Sequence, residues 1–306
     1  MAEEFIPCTT PSLPAAQLHD AAMNAVMHNP ANRVSYARLL RVFENVVASI
    51  ADAVPMLPTP EHLAALTTKY WRAGGVHLTV GFVDSPAQDL KERILSKFNA
   101  WGQFCNAKFV LTNTDPQIRV DRGPSGYWSY LGTDILMIPR SQPTMNLQGF
   151  TMQTSEAEFN RVVKHEIGHS MGFPHEHARP QLVARLDRNK TINYFRQQYG
   201  WSEQQTIQQV LTPISESSIR GTANADADSI MCYQLPGSIT IDGQPIRGGV
   251  DIDPLDAQFA GELYPLPVPP PPPPPPSNGE GKYKIDTLLR TLYITKQPGW
   301  DVRIQE

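Results

Sequence analysis

A chain of 306 residues with 41% hydrophobic side chains has ample core for one large domain or two small ones. Its formal net charge of -4 argues against nucleic acid or anionic membranes as general partners, and no stretch approaches the ~20 uninterrupted apolar residues of a membrane-spanning helix. Three cysteines, Cys8, Cys105 and Cys232, are too few for a disulfide scaffold.

The N-terminus carries acidic residues where a secretory leader has basic ones, and no apolar run follows. That leaves a cytosolic protein or one whose leader lies outside this chain. Residues 17–27 and 35–54 have helical apolar spacing, the second through Leu39, Phe43, Val46 and Ile50. A proline-rich break at residues 55–60 follows. Residues 77–83 alternate like a strand, and Ser85-Pro86-Ala87-Gln88 reads as a capped helix start. Leu90, Ile94, Phe98, Trp101 and Cys105 continue that helix on one apolar face, which makes Cys105 a small buried hydrophobe. Short strands are expected at 108–111, 118–121 and 135–138. Proline totals 29 where average usage gives about 15, largely because eight prolines run unbroken from Pro269 to Pro276. Such a run is an extended polyproline spacer, with an SH3- or WW-type partner as its alternative use. Residues 282–305 have the pattern of a small hairpin.

The chemistry concentrates in Lys164-His165-Glu166-Ile167-Gly168-His169-Ser170-Met171-Gly172-Phe173-Pro174-His175-Glu176-His177. Ser155 and Glu158 offer a capping box upstream, and Phe159, Val162, Val163 and Ile167 supply an apolar helical face. On that helix His165 and His169 stand four residues apart, so both imidazoles project to one side and can share a metal ion. Glu166 lies about 100° around the helix, outside the ligand set yet within reach of a metal-activated water. Gly172 tolerates the positive φ that ends the helix and returns His175 to the same ion. Three imidazoles with an open fourth position describe a catalytic zinc site. HExxH alone arises by chance in roughly one such sequence in a hundred. With Gly172 and His175 at their offsets the figure falls to about one or two in a hundred thousand.

The run from His165 to Glu176 resembles the metzincin zinc-protease signature. With Glu176 after the third histidine and Arg179 following, it is similar to the astacin family in particular. Ser229-Ile230-Met231-Cys232-Tyr233 resembles that family's Met-turn. The likeness extends through Trp71, Trp128-Ser129-Tyr130-Leu131-Gly132, Asp187-Arg188 with Ile192-Asn193, and a closing helix at 256–264. It implies an α+β, metzincin-type zincin domain, with a twisted, mostly parallel sheet, an active-site helix, a Met-turn and a C-terminal helix. The implied reaction is peptide-bond hydrolysis in a protein or peptide substrate, with one zinc ion held by His165, His169 and His175. Glu166 is the implied general base and acid, Met231 the hydrophobic floor beneath the metal, and Tyr233 a switchable ligand that can also bind an oxyanion. Tyr127 stands where secreted astacins are expected to carry a cysteine, and Cys232 where they usually have histidine. The chain therefore looks closer to the disulfide-free bacterial and fungal relatives, which are similar in Pro143-Thr144-Met145-Asn146. A narrow-specificity toxin or processing protease, and a zinc-binding interaction protein, are the competing functions.

The expected organisation is an N-terminal helical extension or pro-segment (1–65), the catalytic domain (66–266), a proline-rich linker (267–279) and a small tail (280–306). In mature astacins the glutamate corresponding to Glu176 contacts a newly released N-terminus. Here either residues 1–65 are removed, or they stay as an appendage and Glu176 pairs elsewhere, with Arg179 the nearest choice; the appendage is the preferred reading. Cys8 is read as an inert thiol, with a latency cap on the zinc as its alternative. His177 is read as a rim residue.

Overall fold

In the computed structural model the described residues are 7–33, 67–72, 74–214 and 225–267, all within one compact unit, Met1–Pro267. The expected helix at 35–54, the proline run and the C-terminal hairpin lie outside them.

Strand β2 (Val76–Phe82) is the sheet's longest strand, with Val76, Leu78 and Val80 buried. It pairs in parallel with β3 (Ala107–Leu111) on one side and β4 (Ile118–Asp121) on the other. Beyond β4 lie β6 (Met145–Leu147, parallel), β5 (Tyr127–Ser129, antiparallel to β6) and finally β1 (Cys8–Thr9), parallel to β5. The order β1-β5-β6-β4-β2-β3 makes a mostly parallel sheet. A parallel sheet needs helices on its faces. Helix α2 (Gln88–Phe98) supplies Leu90, Ile94 and Phe98 to this core.

The active-site helix, α3, follows β6 and comprises Glu156–Glu158, a wider π-turn Phe159–Val163, and Lys164–Met171. The Ser155 hydroxyl caps it by accepting from the Glu158 amide at 3.2 Å, while the Glu158 carboxylate turns to Arg161. Phe159, Val162, Val163 and Ile167 enter the main core as their spacing predicts. Helices α4 (Arg188–Tyr199) and α5 (Glu203–Thr206, running into a π-turn Ile207–Leu211) form the other side. There Phe195, Trp201 and Val210 pack with Cys8, Tyr233, Leu235 and Ile246 in a second core. The closing helix α6 (Pro254–Leu263) starts from a reciprocal capping box between Asp253 and Asp256.

Several expectations are corrected. The helix expected from Ser85 begins at Gln88, because Ser85 sits at positive φ. It ends at Phe98 and gives way to a tighter turn, Asn99–Gln103, so Cys105 is buried as expected but beyond the helix. Residues 135–138 are no strand. Gly132–Met137 forms a 3-10 turn instead, and the strands there are the three-residue β5 and β6.

Residues 7–33 are woven into the same unit. Helix α1 (Leu18–His28) has Ala21 packed with Leu13 and Ile138. The Asn32 carboxamide binds the Ala25 and Tyr70 carbonyls at 2.9 and 2.7 Å. Strand β1 then lays Cys8 along the outer edge of the sheet, toward α3.

Candidate metal centre

The last two turns of α3 place His165 and His169 side by side, with ring centres 4.7 Å apart. Gly172 ends the helix at φ 102, and its Cα faces Tyr70 and the Lys69 carbonyl so closely that an added Cβ would stand 3.1 and 3.2 Å from them. The left-handed turn and the close approach both demand glycine. The chain then doubles back, putting the His175 ring 4.4 Å from that of His169. The Glu176 amide, donating to the Met231 carbonyl at 2.9 Å, fixes the return to the loop at residues 229–233.

Backbone carbonyls orient the rings. His165 Nδ1 lies 2.6 Å from the Ile230 carbonyl and His169 Nδ1 lies 2.7 Å from that of Phe173. A carbonyl only accepts, so each Nδ1 carries the proton and each Nε2 turns a lone pair inward. His169 Nε2 stands 3.0 Å from His175 Nε2 and 3.4 Å from the Cys8 thiol. The donor atoms of Cys8, His165, His169 and His175 all lie within 4.8 Å of one another. A tetrahedral zinc with nitrogen bonds of 2.0–2.1 Å spaces its ligand atoms at roughly 3.3–3.4 Å, close to the 3.0 and 3.4 Å separations at His169.

Burial makes the same point energetically. His165 Nε2 and both Glu166 carboxylate oxygens are buried without a hydrogen-bond partner, a costly state unless a ligand satisfies them. Burial holds the imidazoles neutral, His169 down to about 4 and His165 and His175 well below their usual range. Neutral imidazole is the form that binds metal. Burial also raises Glu166 to about 8, toward the range of a general base working near neutrality.

Met231 packs from below. A Cβ on Gly168 would come within 2.5 Å of its Sδ, so the thioether rests on the bare backbone of the metal-binding helix. The Tyr233 ring stacks on His177 at 3.8 Å and meets His175 edge-on at 4.5 Å. Its hydroxyl donates to the Cys8 carbonyl. Glu176 accepts from the Asp226 amide at 3.0 Å and lies 4.0 Å from Arg179, so the expected Arg179 contact forms at the outer limit of an ion pair.

Two readings of the sequence change here. His177 is no rim residue: it is fully buried, and its Nε2 donates to the Gln209 carbonyl at 3.0 Å. Cys8, read as inert with a zinc cap as its alternative, has its thiol within the histidine cluster, whereas Cys232 points its thiol at the Tyr233 carbonyl, 3.7 Å away. Two further residues give weak signals in the sequence. Asp256 accepts from the Ser229 hydroxyl at 2.6 Å and the Ile230 amide at 2.8 Å; its spacing from Asp253 marks a helix cap but not this second duty. Gln209 binds the Thr10 backbone, which no periodicity reveals.

A parallel sheet backed by a helix carrying two imidazoles and a glutamate, completed by a third imidazole after a glycine turn, defines a zincin-type metal hydrolase. Residues 65–240 match the model of the peptidase family described as Astacin, and the chain belongs to that family of zinc metallopeptidases. It is 30% identical over 94 residues to the Caenorhabditis elegans protein "Zinc metalloproteinase nas-27", a stretch covering 29% of this chain and 19% of that relative. Among solved structures it resembles myroilysin at 30% identity and a TM-score of 0.61, covering 65% of this chain and 97% of the other. A crystal structure of myroilysin gives a TM-score of 0.50 over 65% and 86% of the two chains.

Proposed function

We propose that this chain is a zinc endopeptidase whose cleft is filled by its own N-terminal segment. The observation that carries the reading is the convergence of the His165, His169 and His175 donor nitrogens and the Cys8 thiol beside the buried Glu166 carboxylate. His165, His169 and His175 would hold the zinc. Bound there, zinc supplies the Lewis acidity that makes water a nucleophile near neutral pH.

The chain's residues do the rest. Glu166, buried beside the Cys8 thiol, takes the proton of the attacking water once the segment is gone and later delivers it to the leaving amine. Tyr233 already donates to a peptide carbonyl, that of Cys8. A scissile carbonyl in that place would receive the same hydrogen bond as its oxygen gains charge. Met231 supports the helix from beneath.

Cys8 supplies a fourth donor where a catalytic site needs an opening. Four protein ligands make a closed, structural type of zinc site and three an open one, so the segment carrying Cys8 acts as a latency cap. This supports the pro-segment reading of residues 1–65 over the appendage.

The test is cleavage of unstructured casein by the full chain, by the chain after limited proteolysis of its N-terminal segment, and by Cys8→Ala, each with and without a zinc chelator. Chelator-sensitive cleavage that rises when the segment or the thiol is removed, and vanishes in Glu166→Ala, is expected. One equivalent of bound zinc with no cleavage of casein or a broad peptide library in any of these forms would overturn the reading.

A further inference from the structure

Residues 8–10 are gripped on both edges. On one side Cys8 and Thr9 pair with Tyr127 and Trp128. On the other, the Thr10 amide donates to Gln209 Oε1 at 3.2 Å and Gln209 Nε2 donates to the Thr10 carbonyl at 3.2 Å. Between the two grips the Cys8 carbonyl receives the Tyr233 hydroxyl. These contacts engage main-chain groups, which every extended peptide carries, so they show how the cleft holds a strand of any sequence.

Gln209 is also mechanically tied to Tyr233. The His177 imidazole donates to the Gln209 carbonyl at 3.0 Å while its face stacks on the Tyr233 ring at 3.8 Å. One buried side chain therefore sets the spacing between the hydroxyl that meets the reacting carbonyl and the carboxamide that meets the backbone two residues away.

We propose that Gln209 is a substrate-positioning residue that binds the main-chain N–H and C=O of an extended peptide two residues from the one whose carbonyl faces Tyr233. The proposal rests on the peptidase reading above and deepens it. A carboxamide has both a donor and an acceptor, so it serves a strand of either polarity. The cleft then favours substrates long enough to reach Gln209, largely irrespective of side chain at that point. While the N-terminal segment is in place, the same carboxamide retains it.

The first arm of the test uses the full-length chain. Gln209→Met keeps the side-chain volume and removes both hydrogen bonds; Gln209→Glu keeps the acceptor alone. First, the rate of alkylation at Cys8, located by peptide mass mapping, reports release of the segment. Loss of two hydrogen bonds should raise it about tenfold in Gln209→Met, and less in Gln209→Glu. Second, in a Cys8→Ala chain freed of its N-terminal segment by limited proteolysis, so that Gln209 meets only substrate, kcat/KM is measured on one core peptide shortened residue by residue from either end. Gln209→Met should lower kcat/KM about tenfold on peptides that reach two residues past the reacting carbonyl, mainly through KM, and leave shorter ones unchanged.

An unchanged alkylation rate overturns the clamp on the segment. An equal effect on long and short peptides, or none, overturns the substrate role. If the proteolysed Cys8→Ala chain cleaves no peptide, the peptidase reading fails and the substrate role fails with it, while the alkylation rates still decide whether Gln209 holds the segment.

Discussion

Asp256 and Ser229 stand 27 positions apart and share a buried hydrogen bond of 2.6 Å. The other Asp256 oxygen accepts from the Ile230 amide at 2.8 Å, and the Ile230 carbonyl in turn receives His165 Nδ1. The first helical turn of α6 thus orients an imidazole of the metal centre through a single residue, Ile230.

That relay titrates. Burial raises Asp256 from 3.8 to about 6, so the folded state holds the proton more tightly than the unfolded state does. Its contribution to stability is full below about pH 4 and is lost as pH rises through 6. Asp256→Asn does not titrate. The unfolding free energy of the native chain minus that of the variant should therefore fall between pH 4 and pH 7, by about 3 kcal/mol at most. Denaturant melts at the two pH values check this, and a difference independent of pH contradicts it.

The contact between Gly168 and Met231 leaves no room for a methyl group, with Sδ 2.5 Å from the site of an added Cβ. Gly168→Ala should displace Met231 and cost roughly 1–3 kcal/mol, as overpacking does, whereas Met231→Leu, nearly volume-conserving, should cost less than about 1.5 kcal/mol. Thermal unfolding of the two variants decides the ranking.

Glu166 is assigned to proton transfer and not to metal binding. Glu166→Gln should bind one zinc with unchanged affinity and lose about 10²–10⁴ in kcat. Near neutral pH the buried carboxyl, raised to about 8, is already largely protonated, so the neutral amide should change stability little. Loss of zinc in this variant would show that the glutamate belongs to the ligand set.

The metal centre was legible because its chemistry is local. Helical periodicity alone puts His165 and His169 on one side, and a glycine at 172 is needed to bring His175 back. The sheet was legible only where strands are long enough to alternate: β2, β3 and β4 fall close to their expected places, but β1, β5 and β6 have two or three residues each and carry no period. Residues 135–138 are an apolar run whose burial is satisfied in a 3-10 turn, a state that hydrophobicity cannot tell from a strand. Cys8 and Gln209 were hidden for a different reason. Their partners lie 161 and 199 residues away, and nothing in a short stretch such as Pro7-Cys8-Thr9 encodes a contact made only once the sheet edge has formed.

The most direct measurement is the optical spectrum of the full chain with cobalt in place of zinc. One equivalent of tetrahedral cobalt is expected, with a thiolate charge-transfer band that disappears in Cys8→Ala while the metal stays bound through His165, His169 and His175. A native spectrum without that band, or a Cys8→Ala chain that no longer binds metal, would contradict a three-histidine centre capped by the chain's own cysteine.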